Sequence, residues 1–225
     1  MESHAVTFKK VQSTISENVK LIVVSKTKPI AEIMEVYECG HRIFGENKAQ
    51  ELQEKYEYMP KDIEWHFIGH LQRNKVKYLT PFVSMIHSID SLRLLKEINK
   101  SAKKENRTVD CLLQFFVAEE ETKFGLDMDE ARELLTSESF KNMENIQICG
   151  VMGMATYTED KTQIRREFAH LKNIFDDIKA EFFADFPSFK EISMGMTNDC
   201  QIAIEEGSTM VRIGSAIFGE RNYSK

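Results

Sequence analysis

After the apolar run Leu21-Ile22-Val23-Val24 the chain continues Ser25-Lys26-Thr27-Lys28, and Pro29 closes the segment. A lysine at the carboxyl end of a strand, just before a proline stop, is poorly explained by core packing. An ammonium without a partner is costly to bury, so such a site must solvate it, pair it or deprotonate it. A deprotonated amine there can form a Schiff base with an aldehyde. The two lysines share strand parity, so alternation does not choose between them. Lys26, nearer the apolar run, is the better candidate for a desolvated amine.

Four further segments place polar groups where packing does not ask for them. In Arg42-Ile43-Phe44-Gly45-Glu46-Asn47 the last two residues follow a strand pattern and open a helix, so helix capping and ligand contact are both open to them. The stretch from Trp65 to Lys75 is the richest in polar groups. His66 and His70 stand four apart but straddle a strand-to-helix junction, so metal binding is disfavoured and a buried, hydrogen-bonded His66 is expected. Ser193-Met194-Gly195-Met196-Thr197-Asn198-Asp199 runs a strand through small residues into a helix. That turn either offers backbone N–H groups to an anion or is a plain connection capped by Thr197 or Asn198.

Arg212 lies inside an otherwise apolar strand, where an unpaired guanidinium is costly, so it must meet a carboxylate or a ligand. Gly214 and Ser215, directly after it, can bring backbone N–H groups and a hydroxyl against a phosphate. The fourth and fifth segments together resemble one phosphate cup. A lysine after the first strand, a cup after the last two, and an arginine inside that cup describe a site for a small phosphorylated aldehyde.

The elements that must position these residues alternate. Residues 4–18 carry Phe8, Val11 and Ile15 at helical spacing. A strand over 21–25 precedes a short helix with Ile30, Ile33, Met34 and Tyr37 on one side, stopped by Gly40. Further strands are expected over 41–45, 64–68, 84–89, 109–117, 146–152, 191–194 and 210–213. Helices fall between them, including one over 71–79, a long one from Ile164 to Phe182, and one over 198–206 closed by Gly207. Eight strands separated by helices imply parallel pairing and a closed α/β barrel, a (β/α)8 barrel, spanning 1–225 as one domain. An open doubly wound sheet is the competitor, but the Gly-x-Gly-x-x-Gly fingerprint of its dinucleotide-binding version is absent. In a barrel the strand ends bearing Lys26, Glu46, Asn47, Gly69, Asp90, Ser193 and Arg212 share one rim.

Bulk properties narrow the function classes. With 30 basic and 36 acidic residues the net charge is -6, so nothing draws the chain globally to nucleic acid. The amino terminus lacks the apolar core of a signal peptide, and no stretch approaches the roughly 18 apolar residues of a membrane span. A cytoplasmic protein with no membrane partner is expected. Cys39, Cys111, Cys149 and Cys200 show no Cys-x-x-Cys spacing, sit within apolar or helical segments and are expected as buried free thiols, with no metal site.

The segments Val24-Ser25-Lys26-Thr27-Lys28-Pro29, Phe44-Gly45-Glu46-Asn47 and Trp65-His66-Phe67-Ile68-Gly69 resemble those of the pyridoxal phosphate homeostasis protein family. So do Leu71-Gln72, Asn74-Lys75, Ser193-Met194-Gly195-Met196 with Asp199, and Gly207 through Gly219. These proteins are single-domain relatives of the alanine racemase amino-terminal barrel, and the match spans residues 21–222. The resemblance implies pyridoxal 5'-phosphate held as a Schiff base on Lys26, with Arg212 at the pyridine nitrogen and Asn47 near the ring. It also implies Ser193, Gly195, Gly214 and Ser215 lining the phosphate. Arg73 departs from the small polar residue that many relatives carry.

What the resemblance implies for function is cofactor buffering or delivery, with apo forms of pyridoxal-phosphate enzymes as recipients. The alternative is an amino-acid racemase of the alanine racemase type. Racemases of this barrel type draw a tyrosine from a further carboxyl-terminal domain, whereas six residues follow Gly219 here, Tyr223 among them. Binding rather than turnover is therefore the expectation.

Overall fold

Short apolar runs with both faces buried make parallel strands, and eight of them occur here. They are β1 (Lys20–Val24), β2 (Ile43–Glu46), β3 (Glu64–Phe67), β4 (Met85–Ile89), β5 (Val109–Gln114), β6 (Ile146–Met152), β7 (Glu191–Ser193) and β8 (Met210–Ile213). In the computed structural model, which describes residues 2–119 and 125–219, each strand pairs in parallel with the next. β8 returns to β1, with Ile22 opposite Arg212, and closes the barrel.

The helices are α1 (His4–Ser13), α2 (Ile30–Glu38), α3 (Ala49–Tyr58), α4 (Leu92–Lys104), α5 (Met128–Thr136), α6 (Glu138–Lys141), α7 (Lys161–Phe182), α8 (Cys200–Glu205) and α9 (Ser215–Phe218). Their starts follow local chemistry. Ser91 Oγ accepts from Leu94 N at the start of α4, Asp127 and Glu130 form a reciprocal capping box on α5, and Asp160 caps α7. The long α7 buries Ile164, Phe168, Leu171, Ile174, Phe175 and Ile178, the stripe expected from their spacing.

Three expected elements differ. The helix expected over 71–79 is a 3-10 helix over Arg73–Tyr78, a short element in which Val76 is the one buried residue. The strand expected over 109–117 ends at Gln114, since Phe115 leaves the barrel to bridge Leu126. The helix expected over 4–18 stops at Ser13. Two short helices, α6 and α9, were not expected.

Alternation along the strands sorts the interior into layers. Ile22, Met85, Leu112, Cys149, Met152 and Met210 pack together as an apolar plug, separate from the larger cluster of buried apolar residues. Two residues further along three of the strands, His87, Ser193 and Arg212 follow Met85, Glu191 and Met210 in the same parity. Together with His66 these buried polar residues floor the carboxyl-terminal rim. The four cysteines are free thiols; Cys111 and Cys149 are buried as expected, whereas Cys39 and Cys200 are only half-buried. Among the described residues, no group of His, Cys, Asp or Glu could hold a metal ion, and no helix is long and apolar enough to cross a membrane.

Candidate functional site

The loops after β1, β2, β3, β6, β7 and β8 enclose a rim cavity of about 360 Å³. Lys26, Asn47, Arg212, Gly214 and Ser215 line it, so five of the seven residues expected at the site converge on one space. Met154, Tyr157 and Met196 form part of its outer wall.

Lys26 and Lys28 both reach the cavity, but Lys28 is committed elsewhere. Its Nζ donates to Phe218 O at 2.8 Å and lies 3.6 Å from Glu32 Oε2. Lys28 thus holds the carboxyl end of α9, the helix that starts at Ser215. Parity left the two lysines equivalent; the partners of Lys28 are Phe218 of α9 and Glu32 of α2.

Arg212 is buried, and its hydrogen bonds go to neutral acceptors. Nη1 donates to Ser193 O at 2.8 Å and Ser193 Oγ at 2.6 Å, and Nη2 donates to Gly153 O at 3.0 Å. Burial lowers its pKa to about 10, against the pull of the nearby Asp199 carboxylate. Asp199 itself is pushed up by burial, while its Oδ1 accepts from Met196 N. Neither Thr197 nor Asn198 caps α8; its capping position is Asp199, which makes no side-chain cap bond.

Ser193 and Gly195 sit behind the cavity wall. The Ser193 hydroxyl is also 2.9 Å from His87 Nδ1, and His87 Nε2 is 2.9 Å from His66 Nδ1. The guanidinium can only donate, so a consistent order runs from Arg212 through the Ser193 hydroxyl to His87 and on to His66. Burial keeps both rings neutral: His66 is lowered to about 3, with Lys20 adding to the effect, and His87 is lowered further by His66 and Arg212. Gly195 has φ +94°, a left-handed turn that glycine adopts at no steric cost, and its carbonyl accepts from Arg212 N at 2.9 Å. His66 is the buried, hydrogen-bonded residue expected of it, whereas His70 is exposed and sits 3.4 Å from Asp90.

Asn47 is neither helix cap nor satisfied polar residue. The capping position of α3 is Lys48, without a side-chain cap bond, and Asn47 Oδ1 is buried with no hydrogen-bond partner. Glu46 points away from the cavity. Its Oε1 accepts from Ser25 Oγ at 2.6 Å and from Lys55 Nζ at 2.7 Å, in full burial. Burial raises the Glu46 carboxyl, opposed by Lys55. Lys55 and Glu51 were missed at the level of sequence. An acid and a base four apart on a helix ordinarily signal a solvated surface pair.

The profile of the family described as "Alanine racemase, N-terminal domain" matches residues 5–222. The pyridoxal phosphate homeostasis protein of Aquifex aeolicus (strain VF5) is 43% identical over 205 residues, covering 91% of this chain and 88% of that protein. The structure of PipY from Synechococcus elongatus PCC7942 with PLP bound superposes with a TM-score of 0.84 at 30% identity, covering 96% of this chain and 100% of that one. Alanine racemase from Bartonella henselae shares the fold, with a TM-score of 0.74 at 13% identity over 99% of this chain and 60% of its own. The chain therefore belongs to the pyridoxal phosphate homeostasis protein family, built on the barrel of the alanine racemase N-terminal domain.

Proposed function

We propose that this chain binds pyridoxal 5'-phosphate in the rim cavity and serves homeostasis of that cofactor by buffering or delivering it. One observation carries the reading: Lys26, from the first strand, and Gly214 with Ser215, from the last, line the same cavity. Its volume of about 360 Å³ falls in the range of small-ligand sites.

The residues present fit the group. Arg212 holds a buried positive charge with hydrogen bonds to neutral acceptors, so an anionic ligand offsets part of the cost of burying it. Asn47 offers a buried, unpartnered oxygen, and Gly214 offers bare backbone. When bound, the cofactor supplies an aldehyde that an amine can attack and a ring that withdraws electrons. Lys26 supplies the amine. The Gly214 and Ser215 N–H groups and the Ser215 hydroxyl would hold the phosphate, and Asn47 would contact the ring. Arg212 would hold the ring nitrogen and, as an obligate donor, would disfavour protonating it, which suits holding the cofactor over carbanion chemistry. Ser193, bonded to Arg212 and His87, holds the guanidinium, and Gly195 shapes the turn behind it.

Racemisation requires an acid or base on each face of the cofactor. Tyr157 lines the cavity but is 88% exposed, and Tyr223 lies outside the described residues. Incubation with pyridoxal 5'-phosphate followed by borohydride reduction is expected to fix the cofactor's mass on the Lys26 peptide, and Lys26→Ala to abolish it. Mass on Lys28, or spread over surface lysines, overturns the assignment. Transfer to an apo pyridoxal-phosphate enzyme in the presence of a trap for free cofactor tests delivery. Appearance of D-alanine from L-alanine would favour the racemase instead.

A further inference from the structure

Both residues that flank Lys26 are held from below by the same ion cluster, buried at Glu46 and Lys55 and half-buried at Glu51. Lys55 Nζ donates to Ser25 O at 2.8 Å, Glu46 Oε1 at 2.7 Å and Glu51 Oε1 at 2.7 Å, which uses all three of its donors. Ser25 Oγ donates to Glu46 Oε1 at 2.6 Å. On the other side, Thr27 N donates to Glu51 Oε1 at 2.5 Å. Thr27 has φ +65°, a conformation unfavourable for a β-branched residue, and it is one of two non-glycine residues with positive φ among the described residues. A strained backbone persists only where its surroundings enforce it, and here the enforcing groups are Glu51 and Lys55. The Lys55 side chain is 6% exposed, that of Glu46 is fully buried and that of Glu51 is 21% exposed, so the cluster is anchored in the interior and reaches the surface where it meets Thr27.

We propose that Glu51 and Lys55, outside the cavity, are positioning residues that lock the left-handed turn at Thr27 and so aim the Lys26 amine at the aldehyde of the cofactor. The inference rests on the cofactor reading given above and adds a function for the Glu46 segment. In the step it serves, Lys26 Nζ first releases one proton to solvent. Its nitrogen then forms a double bond to the aldehyde carbon, and the aldehyde oxygen departs as water with the two remaining amine hydrogens. Capture depends on approach geometry, and a misplacement of about 1 Å can cost on the order of 100-fold.

The test measures the rate at which excess pyridoxal 5'-phosphate becomes attached to Lys26, read by absorbance and by borohydride-trapped mass. Glu51→Ala is expected to slow attachment roughly 10- to 100-fold. Binding of pyridoxine 5'-phosphate, which lacks the aldehyde, is expected to stay unchanged because the cup is intact. Glu51→Gln keeps an oxygen for the Thr27 N–H and is expected to restore most of the rate. Adding Thr27→Gly to Glu51→Ala should also restore it, since glycine adopts the turn without enforcement. Hydrogen exchange at the Thr27 amide, slow in the wild type and fast in Glu51→Ala, supplies a readout independent of the cofactor. Equal attachment rates in Glu51→Ala and wild type overturn the proposal, as does a slow rate that neither Glu51→Gln nor Thr27→Gly repairs. A wild type that captures neither compound would instead refute the cofactor site itself.

Discussion

Arg212 on β8 grips Ser193 on β7 twice through one nitrogen, at the carbonyl (2.8 Å) and at the hydroxyl (2.6 Å). Loss of that hydroxyl leaves a guanidinium proton and His87 Nδ1 short of a partner at a buried site. Ser193→Ala should therefore cost about 1–3 kcal/mol of stability, the usual penalty for an orphaned buried group. Because the same bond orients Arg212, the variant should also hold pyridoxal 5'-phosphate more weakly. Denaturant unfolding and a cofactor titration check the two effects; wild-type affinity in a destabilised Ser193→Ala protein would separate the serine from the ligand.

The neutral histidines give stability a defined pH dependence. His66 falls to about 3 from its ordinary 6.5, and His87 falls well below 6.5, both mainly through burial. Between about pH 6.5 and about pH 3 the unfolded chain binds protons at these rings that the native chain does not. Stability is thus fully present above about pH 6.5 and declines as pH falls, by at most about 1.4 kcal/mol per pH unit for each ring. His66→Gln should flatten the slope between pH 6.5 and pH 5 relative to wild type. The comparison cancels groups such as Glu46 and Asp199, whose carboxyls are raised by burial and titrate in the opposite sense. Parallel slopes in urea unfolding would remove His66 as the source.

How far the sequence discloses such features depends on whether a residue conflicts with its own neighbours. Lys26 and Arg212 stand out because a charge interrupts an apolar run, and both line the cavity. The strands over 146–152 and 210–213 keep their expected bounds because apolar residues stand at both ends of each, Ile146 and Met152 in one and Met210 and Ile213 in the other. Glu46 conflicts with nothing local, so capping and ligand contact were both reasonable; its buried partners are Ser25, 21 positions away, and Lys55. His87 lies in a short run of ordinary strand residues, and its bond to Ser193 spans 106 positions. Pairings of that kind are made by barrel closure, which alternation announces as a fold but not as a list of contacts.

Lys28 should affect cofactor retention without carrying the cofactor. Its ammonium donates to Phe218 O at the carboxyl end of α9, where a cation also favours the exposed carbonyls. Lys28→Met frees that end and loosens the helix whose first residue, Ser215, faces the cavity. Covalent capture should remain on Lys26, with affinity reduced about tenfold, equivalent to about 1.4 kcal/mol and in line with losing a charged hydrogen bond at a partly screened site. Mass spectrometry of borohydride-trapped protein, with a titration, checks both halves. Loss of all capture in Lys28→Met would return the attachment point to question.

Gly214 separates space from backbone conformation as the reason for a glycine. Its φ of -128° suits any residue, yet an added Cβ would lie 2.8 Å from Val24 O and 3.1 Å from Val24 Cβ. Val24 belongs to β1, paired on both sides, so its carbonyl cannot swing away and the Gly214 turn must move instead. Gly214→Ala should cost about 1–3 kcal/mol through overpacking, and the displacement falls on the N–H groups proposed for the phosphate. Half-saturation by pyridoxal 5'-phosphate should rise, while capture on Lys26 survives at saturating cofactor. Gly40→Ala is the matched control: with φ +94° and no atom within 4 Å of the added carbon, it strains the backbone far from the cavity. It should lower stability by about 1–2 kcal/mol and leave the titration where it was. If the two variants shift cofactor binding equally, the Gly214 effect is one of general stability, and close approach of backbone to phosphate is not its cause.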